Sequence, residues 1–278
     1  MREINLKNFR NCAVFKLYFK IIFLIFVSSA YSQVRFNESE FLYRVRTIYH
    51  SLRSSGLINF SSWVTSNIFL DETKDIFNQE IFPIEIIWTN ANLIYYIKRP
   101  IPDIDKENTL EVVKKLQMDM LEELKGLLID WQRFAAGNIL DNMPETYLIT
   151  SENDTAFIRF EKYEDGRNLK INMLFGVNGL CMKIINEYPD TGEKIFIYPG
   201  YLLIDDKWLL NKWTVQILKD DQVESGFFVE LENKKMDNYW IPQRMILQLK
   251  KKGLEDKWFI REYKFKNIIL NKDLKIVP

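Results

Sequence analysis

The chain has 278 residues, with 38 basic and 38 acidic side chains, 47% hydrophobic and 14% aromatic residues, and only ten glycines and eight prolines. That composition excludes a disordered or low-complexity protein, and charge spread evenly without a basic stripe gives no footprint for a nucleic-acid partner. One histidine and two cysteines exclude a multi-histidine or cysteine-rich zinc site by count.

The N-terminus carries Arg2, Lys7, Arg10, Lys16 and Lys20 against Glu3, then the apolar run Ile21–Val27, then Ser28, Ser29, Ala30, Tyr31 and Ser32. A positive region, a short apolar core and a small-x-small site, Ala30-Tyr31-Ser32, predict a secretory signal peptide over residues 1–32, cleaved near Ser32/Gln33. The alternative, a membrane anchor, needs about 20 apolar residues, far more than this run supplies. Cleavage would remove five basic residues and one acidic one, leaving 33 and 37 and a net charge of −4. Cys12 would go with the signal, so Cys181 would be the lone thiol, read as buried in an apolar strand. No cysteine stands at the cleavage site to take a lipid. These features predict a periplasmic or secreted monomer, residues 33–278, forming one domain.

The first mature element reads as a helix: Phe41, Leu42, Val45, Ile48, Tyr49 and Leu52 recur at three- and four-residue steps, with Ser54-Ser55-Gly56 as its stop. Strands are expected at Leu57–Phe69 and Ile84–Lys98, from their β-branched and aromatic content. A long helix follows. Asn108 and Glu111 form a capping pair, and Val113, Leu116, Met120, Leu124, Leu127, Leu128, Trp131 and Phe134 hold one stripe up to Gly137-Asn138.

From Glu145 the chain reads as about eight strands. Ala156, Ile158 and Phe160 alternate with Arg159 and Glu161; Leu169, Ile171, Met173 and Phe175 share one face. Gly179–Tyr188 and Lys194–Pro199 flank the turn Pro189-Asp190-Thr191-Gly192, and further strands are expected at Tyr201–Ile204, Trp213–Leu218, Gly226–Leu231, Tyr239–Lys250 and Lys257–Leu270. Short polar links predict an antiparallel meander, and Lys250-Lys251-Lys252 reads as a strand end entering a turn at Gly253. The expected fold is α+β: a strongly curved antiparallel β-sheet, an unclosed half-barrel, wrapped around an N-terminal helix and a long amphipathic lid helix.

Catalytic signals are few. His50, the sole histidine, sits at the predicted end of the first helix. No Gly-x-Ser-x-Gly, His-Glu-x-x-His or glycine-rich phosphate loop is present. Asp205-Asp206 and Asp220-Asp221 are candidate carboxylate pairs for a hydrolase, but both read as turn residues. Three sequons, beginning at Asn37, Asn59 and Asn153, match the glycosylation pattern at a frequency expected by chance in an Asn-rich chain.

The order of elements, with the strand Tyr239-Trp240-Ile241-Pro242-Gln243-Arg244-Met245-Ile246-Leu247 and the closing strand Glu262–Asn271, resembles the LolA/LolB superfamily of bacterial lipoprotein carriers and its LppX-type relatives. The stretch Tyr188–Leu218 is richer in strand than the resemblance leads one to expect. The resemblance implies a periplasmic, non-catalytic carrier of the acyl chains of lipids or lipoproteins, with no cofactor and no metal. The apolar groove would be lined by Leu116, Met120, Leu124, Leu127 and Trp131 from the helix and Ile158, Phe160, Ile171 and Met173 from the sheet. Trp131 is the tryptophan expected to face a cavity. The alternatives are an exported module that binds an envelope protein through a sheet edge or the groove mouth, and a carboxylate-based hydrolase.

Overall fold

The computed structural model describes residues 36–102, 104, 107–141, 143–164, 166–251 and 258–271. The expected signal peptide, Cys12 and the turn at Gly253 lie outside these residues. Contacts divide the chain into residues 1–38 and 39–278, and the architecture is that of the second unit together with the helix leading into it.

The unit is α+β, with three α-helices and one open antiparallel sheet of twelve strands among the described residues. Helix α1 is Glu38–Thr47, followed by strand β1 (Asn59–Ser66), the short helix α2 (Asn67–Thr73), and strands β2 (Ile84–Thr89) and β3 (Leu93–Lys98). Helix α3, Glu107–Trp131, runs on into a wider π turn, Gln132–Ala136. Nine strands then follow in a meander: β4 (Leu148–Glu152), β5 (Thr155–Glu164), β6 (Arg167–Gly176), β7 (Cys181–Tyr188), β8 (Glu193–Ile204), β9 (Lys207–Lys219), β10 (Gln222–Met236), β11 (Tyr239–Lys251) and β12 (Trp258–Leu270). The sheet order is β3-β2-β1-β12-β11-β10-β9-β8-β7-β6-β5-β4. The last strand therefore returns to pair with the first, and α3 carries the chain from one free edge, β3, to the other, β4.

Several elements differ from expectation, each for a local reason. The first helix ends at Thr47 rather than near Arg53, because the backbone of Ile48 and His50 is taken up by the sheet: Trp208 N donates to Ile48 O at 2.7 Å and His50 N to Trp208 O at 2.9 Å. Tyr49 thus sits on an extended segment bridged to Trp208, and Leu52 in the turn that follows it. The strand expected over Leu57–Phe69 stops at Ser66, whose hydroxyl accepts from Phe69 N at 3.1 Å and caps α2. The run Ile84–Lys98 is a hairpin, turning through Asn90-Ala91-Asn92 with Asn92 at φ 60°, a conformation asparagine tolerates. Asn108 lies one residue inside α3, whose first residue is Glu107. Lys194–Pro199 and Tyr201–Ile204 are one strand, β8, with an irregularity at Gly200/Tyr201. The meander after α3 has nine strands, β4 being the unexpected one.

One face of the sheet is continuously apolar. Paired residues run across it from strand to strand: Ile149, Ile158, Met173, Ile184, Ile197, Val215, Phe227 and Leu249. Helix α3 packs on this face. Trp131 meets Phe60 of β1 edge-on, with ring centroids 6.0 Å apart, Arg261 of β12 forms an ion pair with Glu123, and Gln117 Nε2 donates to Pro83 O and Arg99 O. The stripe Val113, Met120, Leu124, Leu127, Leu128 and Trp131 is buried as its periodicity predicted. No helix among the described residues is long and apolar enough to cross a membrane.

Candidate functional site

The residues with chemical potential occupy structural positions. Asp205-Asp206 and Asp220-Asp221 are the two-residue turns at opposite ends of β9, all four with φ between 49° and 61°. A strand of 13 residues separates the pairs by about 40 Å, so they do not form one acid–base site. Asp205 pairs with Lys235 and Asp221 with Lys194. His50 Nε2 lies 2.8 Å from the Ile204 carbonyl and donates to it, which ties the segment after α1 to β8. Cys181 is a free thiol, 1% exposed, and burial pushes its ionisation well above the usual thiol range. Among the described residues no group of His, Cys, Asp and Glu is placed to hold a metal.

The place where chemistry converges is where the π turn at the end of α3 faces β5, β6 and β7. A cavity of about 50 Å³ opens there. Its apolar wall is Phe160, Ile171, Met173 and Ile184 from the sheet, with Ile139 and Met143 from the segment after the helix. Its polar residues are Asn92 from the β2–β3 turn, Arg133 from the π turn, Asn186 from β7, Lys162, and Asn138, whose amide is engaged by the Arg46 carbonyl and Leu140 N. Asn186 shares the covered face with Ile184 and is 7% exposed. Its Oδ1, the Oδ1 of Asn92 and the Nη1 of Arg133 are buried with no hydrogen-bond partner among the described residues. The π turn is held in place from both sides. Gln132 donates to the Asn92 carbonyl, and the carbonyls of Ala135 and Ala136 accept from Leu52 N and Arg53 N at 3.2 and 3.0 Å.

Of the nine groove residues read from sequence, Phe160, Ile171 and Met173 line this cavity. Ile158 is buried beside them on the same face, and Met120, Leu124, Leu127 and Trp131 are buried along α3, with Leu116 half-buried. Trp131, expected to face a cavity, is 1% exposed and closed off against Phe60. The polar residues were missed. Asn186 alone left a signal, an amide at the inward position of an alternating apolar strand.

Asp130 sits next to this site. Its carboxyl oxygen is 3.7 Å from Arg133 Nη1, and the Trp213 indole approaches it without meeting hydrogen-bond geometry. Burial raises its pKa more than Arg133 and Trp213 lower it. A carboxyl raised in the folded state binds its proton more tightly there than in the unfolded chain. Its contribution to stability is therefore fully present below the ordinary carboxylate pKa and is lost as pH rises through the raised value. Asp130→Asn removes the titration. We expect its melting temperature, relative to the parent, to climb as pH is raised across that window and then level off. A difference that stays flat from acid to neutral pH would refute the assignment.

A second hollow, about 500 Å³, lies on the opposite face of β5–β8. The outward rows Arg159, Asn172, Ile185, Phe196 and Glu161, Lys170, Glu187, Lys194 line it, with Phe160 and Ile171, which also border the smaller cavity, between them. It is open, and Lys170 with Glu161 and Lys194 with Asp221 close ion pairs at 3.3 and 2.7 Å. Such surface pairs contribute little to binding.

No family model, no curated protein and no solved structure matches this chain.

Proposed function

We propose that this chain is an exported, non-catalytic carrier of acyl chains, held between α3 and the covered face of the sheet, in the manner of the LolA/LolB-type carriers it resembles. The observation that carries the reading is the cavity at the end of α3, where the continuous apolar row of the sheet meets buried polar groups. The sheet is read as wrapped around the helix. Adjacent helical residues support this: Trp131 reaches β1 and Asp130 faces Trp213 of β9, strands four places apart in the sheet order. In a flat sheet those strands stand about 19 Å apart, wide for one helix to bridge.

A cavity of about 50 Å³ is far below the roughly 300 Å³ that a lipid-sized ligand fills, so the carrier reading requires a second, open state. Loading requires the segment after α3 to lift. Phe134, Ile139 and Leu140, each under 9% exposed, would be uncovered at about 1.5–3 kcal/mol apiece. Burying a 16-carbon chain at about 0.8 kcal/mol per methylene contributes about 11 kcal/mol, enough to offset that cost. Lifting this segment is accordingly the lid motion assigned to the long helix.

The test is direct. Lipid extracted from the natively purified chain is identified by mass spectrometry, and the emptied chain is titrated with a fluorescent fatty acid. We expect saturable uptake and co-purified acyl lipid. The intact mass of the same preparation reads whether the chain starts at Gln33, as export to the periplasm with signal cleavage requires. A chain that carries no lipid and takes up no fatty acid would end the carrier reading. It would leave the envelope-protein module, for which the specific observation is the free edge β3: Leu93, Tyr95 and Ile97 are 51%, 39% and 44% exposed on its outward side.

A further inference from the structure

The carrier reading names an apolar tail but says nothing of the head, and the cavity at the end of α3 has the groups to choose one. We propose that it seats a neutral, hydroxylated head group of the glycerol monoester type, and this rests on the carrier reading. Three of the residues lining it each carry a buried polar atom with no hydrogen-bond partner among the described residues: one donor, Arg133 Nη1, and two acceptors, Asn92 Oδ1 and Asn186 Oδ1. Their complement is a head with one acceptor and two donors, which an ester bearing two free hydroxyls supplies. Turning either amide over exchanges an acceptor for a donor, and a hydroxyl satisfies both, whereas a carboxylate only accepts.

Charge argues the same way. Asp130 stands 3.7 Å from Arg133 Nη1, too far for a hydrogen bond but close enough to offset its charge. Lys162, the other cation lining the cavity, is engaged by Glu164 at 2.9 Å. An anionic head therefore meets no uncompensated positive charge, and would bring its own charge beside the Asp130 carboxyl. The tail leaves along Phe160, Ile171, Met173 and Met143, which offer it no polar atom of their side chains apart from the methionine sulfurs. Ordered water is the competing occupant, since a space of this size with two to four polar partners holds one or two molecules.

The experiment measures displacement of a bound apolar dye, N-phenyl-1-naphthylamine, from the purified chain by three amphiphiles that share one tail: 1-monopalmitoylglycerol, palmitate and methyl palmitate. The glycerol ester is expected to displace at about tenfold lower concentration than either of the others, the scale of one hydrogen bond to a buried group. Asn186→Leu is expected to erase that advantage. Equal potency of palmitate, or of the methyl ester that has no donor, would overturn the proposal and leave the cavity to water. The ranking in the unaltered chain decides this even where the variant does not fold. Failure of the dye and all three amphiphiles to bind would instead overturn the carrier reading itself.

Discussion

Trp131→Ala lowers the unfolding free energy by about 3–5 kcal/mol, the range for deleting a large buried aromatic without collapse of the cavity it leaves. Trp131 is 1% exposed and stands edge-on to Phe60, which in turn stacks on Trp88 with centroids 6.1 Å apart. The three rings join α3 to β1 and β2, so truncation removes the contact that seats the helix end on the sheet. Domains are stable by only about 5–15 kcal/mol, so this one change removes a large share. Urea unfolding followed by far-ultraviolet circular dichroism reads it as a lowered midpoint. Val112→Ala, at a position 57% exposed on the same helix, stays within about 0.5 kcal/mol of the parent. Equal midpoints for the two variants would mean that Trp131 does not anchor the helix.

Tyr49→Phe is the second large effect, and it acts through backbone groups. The Tyr49 hydroxyl accepts from Cys181 N at 2.6 Å and donates to Gly179 O at 2.9 Å, inside the protein. Burial pushes its phenol pKa far up, so the proton it donates is retained across the working pH range. Phenylalanine keeps the ring, which lies 5.2 Å from Tyr201, but leaves a buried N–H and a buried carbonyl without this partner. At about 1–3 kcal/mol for each of the two unsatisfied groups, the expected loss is about 2–6 kcal/mol with an unchanged denaturant slope. Gly179, at φ 87°, makes the tight turn that brings its carbonyl to Tyr49. A midpoint within about 0.5 kcal/mol of the parent would show that water replaces the hydroxyl.

Much of the fold could be read from local pattern. Strands β5 and β6 alternate so regularly that parity alone groups Ala156, Ile158 and Phe160 on one face and Leu169, Ile171, Met173 and Phe175 on another, and in the structure six of the seven are buried and Ile171 is half-buried on the covered face. The stripe of α3 was equally plain, because a helix on a sheet buries one side in steps of three and four. The errors fell where a tertiary contact outweighs local preference. The end of α1 is set by two hydrogen bonds to Trp208, some 160 residues away in the chain. The split of Ile84–Lys98 rests on Asn92 adopting a left-handed conformation, which β-propensity does not register.

The candidate site divides along the same line. Its apolar wall, Phe160, Ile171 and Met173, follows from two-residue periodicity, which needs no knowledge of what lies opposite. Its polar groups do not, for Asn92, Arg133 and Asn186 come from a hairpin turn, a π turn and a strand about 40–50 residues apart in the chain. Only the path of α3 from edge strand β3 to edge strand β4 brings them together, since it carries Arg133 across the sheet face that Asn186 occupies. Sequence by itself determined the class of the fold, the apolar faces, and the turn roles of Asp205-Asp206 and Asp220-Asp221, because these depend on neighbours a few residues away. Which strands are neighbours, how tightly the interior closes, and where an uncompensated polar atom is left inside were decided by tertiary structure, because each depends on groups far apart in the chain meeting across the sheet.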